Sequence, residues 1–249
     1  MSENKPYSVQ LYTVRHALEA DLAGTIARIA AIGFSQVEPY NFVATAPELG
    51  AALSENGLTA PSGHAPLLKD DQRAIFEAAR TLGITTVIDP YIPAEQWTTE
   101  ADIAATAARL NAAAALGAEY GIRVGYHNHA WEIENTIDGR TALEVLVDHL
   151  DPAVILEVDT YWVAVGGAKP VELLARLGDR VRFIHIKDGP ISTDVDAQLP
   201  AGQGKMPVRE VIAAAASLEV GVVEFDSYAG DIFEGLAESL EFLTAGVQP

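Results

Sequence analysis

Eight times along this chain a short β-type run gives way to a longer helix-type pattern, and no other feature limits the possible folds as strongly. The runs are Tyr7–Tyr12, Gln36–Tyr40, Leu58–Gly63, Thr86–Asp89, Ile122–His127, Val154–Asp159, Val181–Ile186 and Val220–Phe225. The helical patterns are Asp21–Ile32, Pro47–Asn56, Asp70–Leu82, Thr99–Tyr120, Arg140–His149, Pro170–Leu177, Val208–Leu218 and Gly230–Phe242. Gly33, Gly57, Gly83 and Gly121 stand where a cap would stop a helix just before the next strand, and Asp21 and Thr99 offer side-chain oxygens to start one. Such alternation requires a parallel sheet covered by helices, and eight repeats in about 250 residues match a closed (β/α)8 barrel. At 49% hydrophobic, one domain over residues 1–249 can bury that core. A doubly wound open sheet is the alternative, but Gln10-Leu-Tyr-Thr-Val-Arg15 stands where its glycine-rich dinucleotide turn belongs.

Composition narrows the chemistry. Sixteen basic residues against 35 acidic ones leave a formal charge of −19, which repels nucleic acid phosphates and anionic membrane surfaces. Cysteine is absent, so any metal must be held by nitrogen and oxygen ligands. The opening Met-Ser-Glu-Asn-Lys-Pro contains no apolar signal stretch, and no window approaches eighteen uninterrupted apolar residues, so a soluble cytoplasmic protein is expected. The longest irregular segment, Asp188 to Pro207, follows the seventh strand and is expected to form a lid over the functional face. Its Gly202-Gln-Gly-Lys205 lacks the spacing of a P-loop and reads as lid flexibility.

In a (β/α)8 barrel, functional groups sit at the C-terminal ends of strands, which is where this chain concentrates its polar residues. The segments in question are Ser-Gly-His64, Gly-Tyr-His127-Asn128-His129, Leu-Glu157-Val-Asp159, Phe-Ile-His185-Ile-Lys187 and Val-Val-Glu224-Phe-Asp226. Residues two apart on a strand share a face. Asp159, His185 and Glu224 fall at the same end of three consecutive strands, and a shared cation satisfies all three buried polar groups at once. Two carboxylates and an imidazole suit Mn²⁺ foremost, with Mg²⁺, Co²⁺ or Zn²⁺ as alternatives. Such an ion polarises a carbonyl and a neighbouring hydroxyl, stabilising an enediolate, so isomerisation and epimerisation of a small sugar both follow.

The ordered pieces Ser8-Val-Gln-Leu-Tyr-Thr-Val-Arg15, Gly33-Phe-Ser-Gln-Val-Glu-Pro-Tyr40, Ser62-Gly-His64, Gly125-Tyr-His-Asn-His129, Asp159-Thr-Tyr-Trp162, His185-Ile-Lys-Asp-Gly189 and Val223-Glu-Phe-Asp226 cover nearly the whole chain. Together they resemble the sugar phosphate isomerase/epimerase group of xylose isomerase-like barrels, related to endonuclease IV. The resemblance implies four metal ligands, Glu, Asp, His and Glu, at the ends of strands five to eight, and Asp159, His185 and Glu224 match the last three. Many members carry Glu-Asn-His at the fifth strand, whereas this chain reads His127-Asn128-His129, so the first carboxylate is missing. Glu132, brought back by a bend after the strand, is the preferred fourth ligand and His127 its rival. The resemblance also implies proton transfer by the first and last acids, here Glu224 with Glu132 or His127, and relatives that are often dimers or tetramers. The His127 substitution leaves room for lyase or dehydratase chemistry on an inosose or 3-keto-sugar.

Among the remaining polar residues, Lys187 shares the face of His185 and is expected to bind an anionic or hydroxyl group of substrate. His64, His129 and Glu38 are expected to line the substrate side, with Trp162, Tyr12 and Trp131 as stacking surfaces. Glu157 lies one layer deeper than Asp159 and is assigned to a buried polar contact, and Asp226 to orienting a ligand. A sugar-binding barrel without turnover is the non-enzymatic alternative. DNA repair is disfavoured by the charge.

Overall fold

The computed structural model describes residues 7–245; Met1–Pro6, on which the expectation about a signal stretch rests, and residues 246–249 lie outside the described residues. Eight parallel strands form the expected ring: β1 Tyr7–Gln10, β2 Gln36–Glu38, β3 Ser62–His64, β4 Thr86–Asp89, β5 Arg123–His127, β6 Ile155–Asp159, β7 Val181–Ile186 and β8 Val220–Val223. Their order is β2-β1-β8-β7-β6-β5-β4-β3. The seam between β2 and β3 is joined by isolated parallel bridges, Gln36 to Thr59 and Tyr40 to His64, with Val37 N–H donating to Thr59 O at 2.9 Å. The result is a nearly closed barrel with helices outside.

Helix boundaries follow side-chain chemistry. Asp21 and Thr99 do cap their helices, accepting from Gly24 N–H and Asp102 N–H. Gly33 and Gly83 end helices at φ 114° and 72°, a left-handed conformation open to glycine. The third strand is shorter and later than expected, Ser62–His64 rather than Leu58–Gly63, because the Thr59 segment meets β2 only through the isolated bridge. Several small elements escaped the periodicity argument, among them a helix at Arg15–Ala20, a one-turn helix at Trp131–Glu134, a hairpin of Thr136–Ile137 with Arg140–Thr141, and a helix at Thr160–Val165. The hairpin turns on Asp138-Gly139, both at positive φ. Arg140 therefore belongs to a strand, and the next helix starts two residues later from the Thr141/Glu144 capping box.

Inside the ring, chemistry changes with depth. Ile88, Ile155, Phe183, Val220 and Val222 form an apolar floor distinct from the large core between strands and helices. Gly125 makes room for it, since a Cβ there would lie 2.7 Å from Ile155 Cδ1. Near that floor the Arg123 guanidinium grips both oxygens of Glu219 at 2.8 and 2.6 Å and donates to Thr86 Oγ1 at 3.1 Å. Above the floor the interior turns polar, with Gln10, Glu38, Ser62, His64, Glu157 and His185 all buried.

The segment from Asp188 to Pro207 is tied down rather than flexible. The buried Asp188 carboxylate accepts from the backbone N–H groups of Gly189, Gly202, Gly204 and Met206 at 2.8–3.0 Å. Gly204 is demanded by that approach, because a Cβ there would lie 2.1 Å from Asp188 Oδ1. Gln198, held in the same segment, donates to Asp226 Oδ2 at 2.7 Å and accepts from Asp226 N–H at 2.8 Å. Asp188→Ala strands four N–H donors and is expected to cost about 3 kcal/mol of stability. Urea unfolding measures that loss, and faster proteolysis within 189–207 marks where it originates.

Candidate active site

Asp159 closes β6 and at once caps the next helix: its Oδ1 accepts from Trp162 N–H at 2.8 Å. Its buried Oδ2 is turned to the Lys187 ammonium, 2.9 Å away. The backbone of Asp159 is clamped in turn by Asn128, whose side chain accepts from Asp159 N–H at 3.0 Å and donates toward its carbonyl at 3.4 Å. The β5–β6 ladder ends at His127 and Glu157, and the Asn128 amide continues it with side-chain atoms.

Register places the other groups around that oxygen. His185 pairs with Asp159 on one side and Val222 on the other. Its Nδ1 thus lies 2.6 Å from Glu224 Oε2 and 4.0 Å from Asp159 Oδ2. His127 Nε2 approaches from β5 to 3.9 Å from the same Asp159 oxygen. Lys187, only 3% exposed, sets its ammonium 2.9 Å from Asp159 Oδ2 and 2.8 Å from both Glu224 Oε2 and Asp226 Oδ2. Three carboxylates therefore meet one ammonium, with the His185 imidazole against Glu224 as the other positive partner. Asp159, His185 and Glu224 offer donor atoms within 4.8 Å of one another, a set of two carboxylates and an imidazole that could hold a divalent ion.

Beneath lies a second polar layer. Glu157 Oε2 sits 2.5 Å from His64 Nε2, 3.0 Å from His185 Nε2 and 3.2 Å from His127 Nδ1. Glu38 Oε1 is 3.0 Å from His185 Nε2 and 3.2 Å from His64 Nε2, and Glu38 also holds Gln10 Nε2 at 2.8 Å and the Ser62 hydroxyl. Glu38 is fully buried inside the barrel, so it does not line the substrate side as expected. Glu157 is the deep polar contact anticipated, with far more partners.

Electrostatics sort these groups. Burial raises the Glu38 pKa, and the charge of Glu157 adds to the effect. Burial also disfavours charge on Glu157, yet His185 and His64 outweigh it and hold Glu157 well below the carboxylate range. For His185 burial is overcome by Glu157 and Glu224, which keep its pKa well raised. Glu224 is likewise held well below its ordinary value, burial yielding to Lys187 and His185. Burial, with repulsion from His185, drops His127 to about 3, leaving a neutral imidazole.

Glu132 is not among these groups. The one-turn helix does bend the chain back, but the Glu132 carboxylate accepts from the Tyr126 hydroxyl and from His129 N–H at 2.8 Å. Tyr126 alternates with His127 and points out of the barrel, packing 5.3 Å from Trp97, so Glu132 lies behind the strand instead of at the ion site. His127, the rival fourth donor, is the β5 residue that faces inward.

Above both layers opens a cavity of about 260 Å³ lined by His64, His127, His129, Trp162, Lys187 and Glu224, together with aromatic residues. The His129 ring stacks on Trp131 at 4.2 Å, and Lys187 Nζ stands 5.7 Å over Trp162. Tyr40, Asn41, Pro90 and Tyr91 also line it and were missed; Tyr91 is 57% exposed and meets His129 edge-on. Their signal was position alone, since each comes just after the end of β2 or β4.

A family model described as xylose isomerase-like TIM barrel matches residues 26–245. A sugar phosphate isomerase/epimerase from Parabacteroides distasonis superposes with a TM-score of 0.83 at 20% identity, covering 98% of this chain and 96% of that one. A xylose isomerase-like TIM barrel protein from Mycobacterium smegmatis, solved in complex with magnesium, gives 0.72 at 18% identity over 96% and 95% of the two chains. At such identities the likeness is one of fold. In sequence, an inosose dehydratase of Geobacillus kaustophilus is 36% identical over 80 residues, which is 32% of this chain and 25% of that protein. The match thus spans a quarter of that relative's length.

Burial raises the Glu132 pKa to about 8. A carboxyl whose folded pKa lies above its ordinary value of 4.5 contributes stability that is complete below that value and lost as pH rises through about 8. Denaturant unfolding across this window is expected to show a decline in the wild type on the order of a few kcal/mol that flattens in Glu132→Gln. Equal slopes for the two proteins contradict the assignment.

Proposed function

The chain belongs to the xylose isomerase-like TIM barrel family, and on that premise we propose that it is a divalent-metal-dependent enzyme moving a proton beside the carbonyl of a small carbohydrate or keto-sugar, as an isomerase or epimerase. The observation that carries this reading is the buried cluster of Asp159, His185 and Glu224, whose donor atoms lie within 4.8 Å of one another where three carboxylates share the Lys187 ammonium. Asp159, His185 and Glu224 are the residues to hold the ion, with His127 completing the set or facing substrate from the opposite side. Manganese is the preferred ion for this oxygen-rich set, with magnesium, cobalt or zinc able to replace it. Bound there, it would polarise sugar oxygens and acidify the intervening C–H.

The rest of the chemistry belongs to side chains. Glu224, held anionic, and His127, held neutral, flank the ion position and are assigned to proton transfer. Lys187 supplies a fixed positive charge for substrate oxygens, while Trp162 and the His129–Trp131 stack offer flat faces to a sugar ring. The cavity, smaller than the roughly 300–1,000 Å³ of drug-sized sites, suits a monosaccharide-scale ligand.

A second reading, a dehydratase or lyase acting on an inosose or 3-keto-sugar, is favoured by one observation: an imidazole, His127, stands where a carboxylate would permit two symmetric acids. Asp159→Asn and His185→Gln are each expected to lose the ion and at least about 100-fold in turnover. Metal analysis after dialysis tests the ion, and a wild type that retains none ends the proposal. Product mass and stereochemistry from a panel of metal-loaded assays on keto-sugars and inososes separate the two reactions, since loss of water is incompatible with isomerisation.

A further inference from the structure

Among the described residues, Glu157 is the one carboxylate that reaches all three interior imidazoles. A single oxygen, Oε2, lies within 3.2 Å of His64 Nε2, His127 Nδ1 and His185 Nε2, while Oε1 accepts no hydrogen bond. An ionised carboxylate is an acceptor only, so every ring nitrogen that bonds to it must carry hydrogen. The other nitrogen of each ring is then the only one that can be free of hydrogen. For His185 that is Nδ1, the atom 2.6 Å from Glu224 and 4.0 Å from Asp159. For His127 it is Nε2, 3.9 Å from Asp159 Oδ2 at the cavity.

We propose that Glu157 is a positioning residue that fixes the tautomers of two imidazoles at once, holding hydrogen on His185 Nε2 so that Nδ1 is the nitrogen an ion takes in place of a proton, and turning the His127 Nε2 lone pair toward the substrate cavity. The proposal rests on the ion-dependent reading above. Glu157 touches neither the cavity nor the ion position: it is fully buried, does not line the cavity, and stands one strand layer below Asp159. Its neighbour Glu38 shares His185 and His64 but does not reach His127, so only Glu157 couples the two rings that face the mouth. Three rings packed with centroids 4.4–5.3 Å apart leave little freedom to flip. Metal-bound histidines in general are held by a carboxylate or carbonyl behind the ligating ring; here one oxygen does so for a ligand and for a proton-transfer group together.

The test uses zinc as probe. Long-range ¹⁵N–¹H spectra of the zinc-loaded wild type are expected to show His185 protonated at Nε2 and metal-bound at Nδ1, and His127 protonated at Nδ1; the opposite His127 tautomer overturns the proposal with no variant required. In Glu157→Gln, zinc affinity by calorimetry is expected to fall 10–100-fold and the His127 signal to change tautomer. A variant that unfolds more easily yet keeps wild-type zinc affinity and both tautomers shows a merely structural carboxylate and also overturns it. A wild type that binds no zinc, manganese or magnesium defeats the ion-dependent reading itself, a result distinct from either of these.

Discussion

Five carboxylates, Glu38, Glu157, Asp159, Glu224 and Asp226, crowd the axis and mouth of one barrel, and the rest of the interior is arranged to make their burial tolerable. A buried unpaired carboxylate is costly enough that it normally takes up a proton instead. This interior offers positive partners at two levels: Lys187 against Asp159, Glu224 and Asp226 above, and His64 and His185 against Glu38 and Glu157 below. His185 belongs to both levels, one ring nitrogen facing each. Removing one partner of such a buried pair leaves the other charge uncompensated, so the members of the cluster are energetically coupled.

That polar column is possible only because the barrel is sealed below it. The apolar floor and the Arg123–Glu219 pair close the end away from the cavity, so stability is concentrated at one face and chemistry at the other. The mouth is held by polar groups that serve the backbone and the site together. Asp159 caps a helix with one oxygen and presents the other to the ion position. Asn128 extends a strand ladder and thereby holds Asp159 in place. Asp188 gathers four backbone donors and, through Gln198, reaches Asp226. The side chains of the site are thus held by groups that also fix the backbone.

The strength of His127 as a base depends on its surroundings. Burial and His185 keep it neutral, the form in which an imidazole can accept the proton that the proposed reaction requires. The missing carboxylate at the end of β5 is thus matched by a carboxylate one strand over and one layer deeper. Glu157 supports the ring that took the acid's place.

The eight βα units, their parallel order and the strand ends bearing Asp159, His185, Glu224 and Lys187 were legible in the chain, because apolar periodicity and glycine stops are local properties written in consecutive residues. The two-residue period of a strand also told which residues share a face, and so put Glu157 below Asp159. Connections that leave the strand ends have no such period. The side to which Glu132 returns, the small helices after β5 and β6, and the folding of the 188–207 segment around Asp188 were decided by tertiary packing. Distances between strands had the same origin: that one Glu157 oxygen meets three imidazoles depends on how strands β3, β5, β6 and β7 curve toward a common axis. Local sequence sets a residue's face, whereas closure of the ring sets its neighbours, since only closure brings side chains from distant strands within a hydrogen bond of each other.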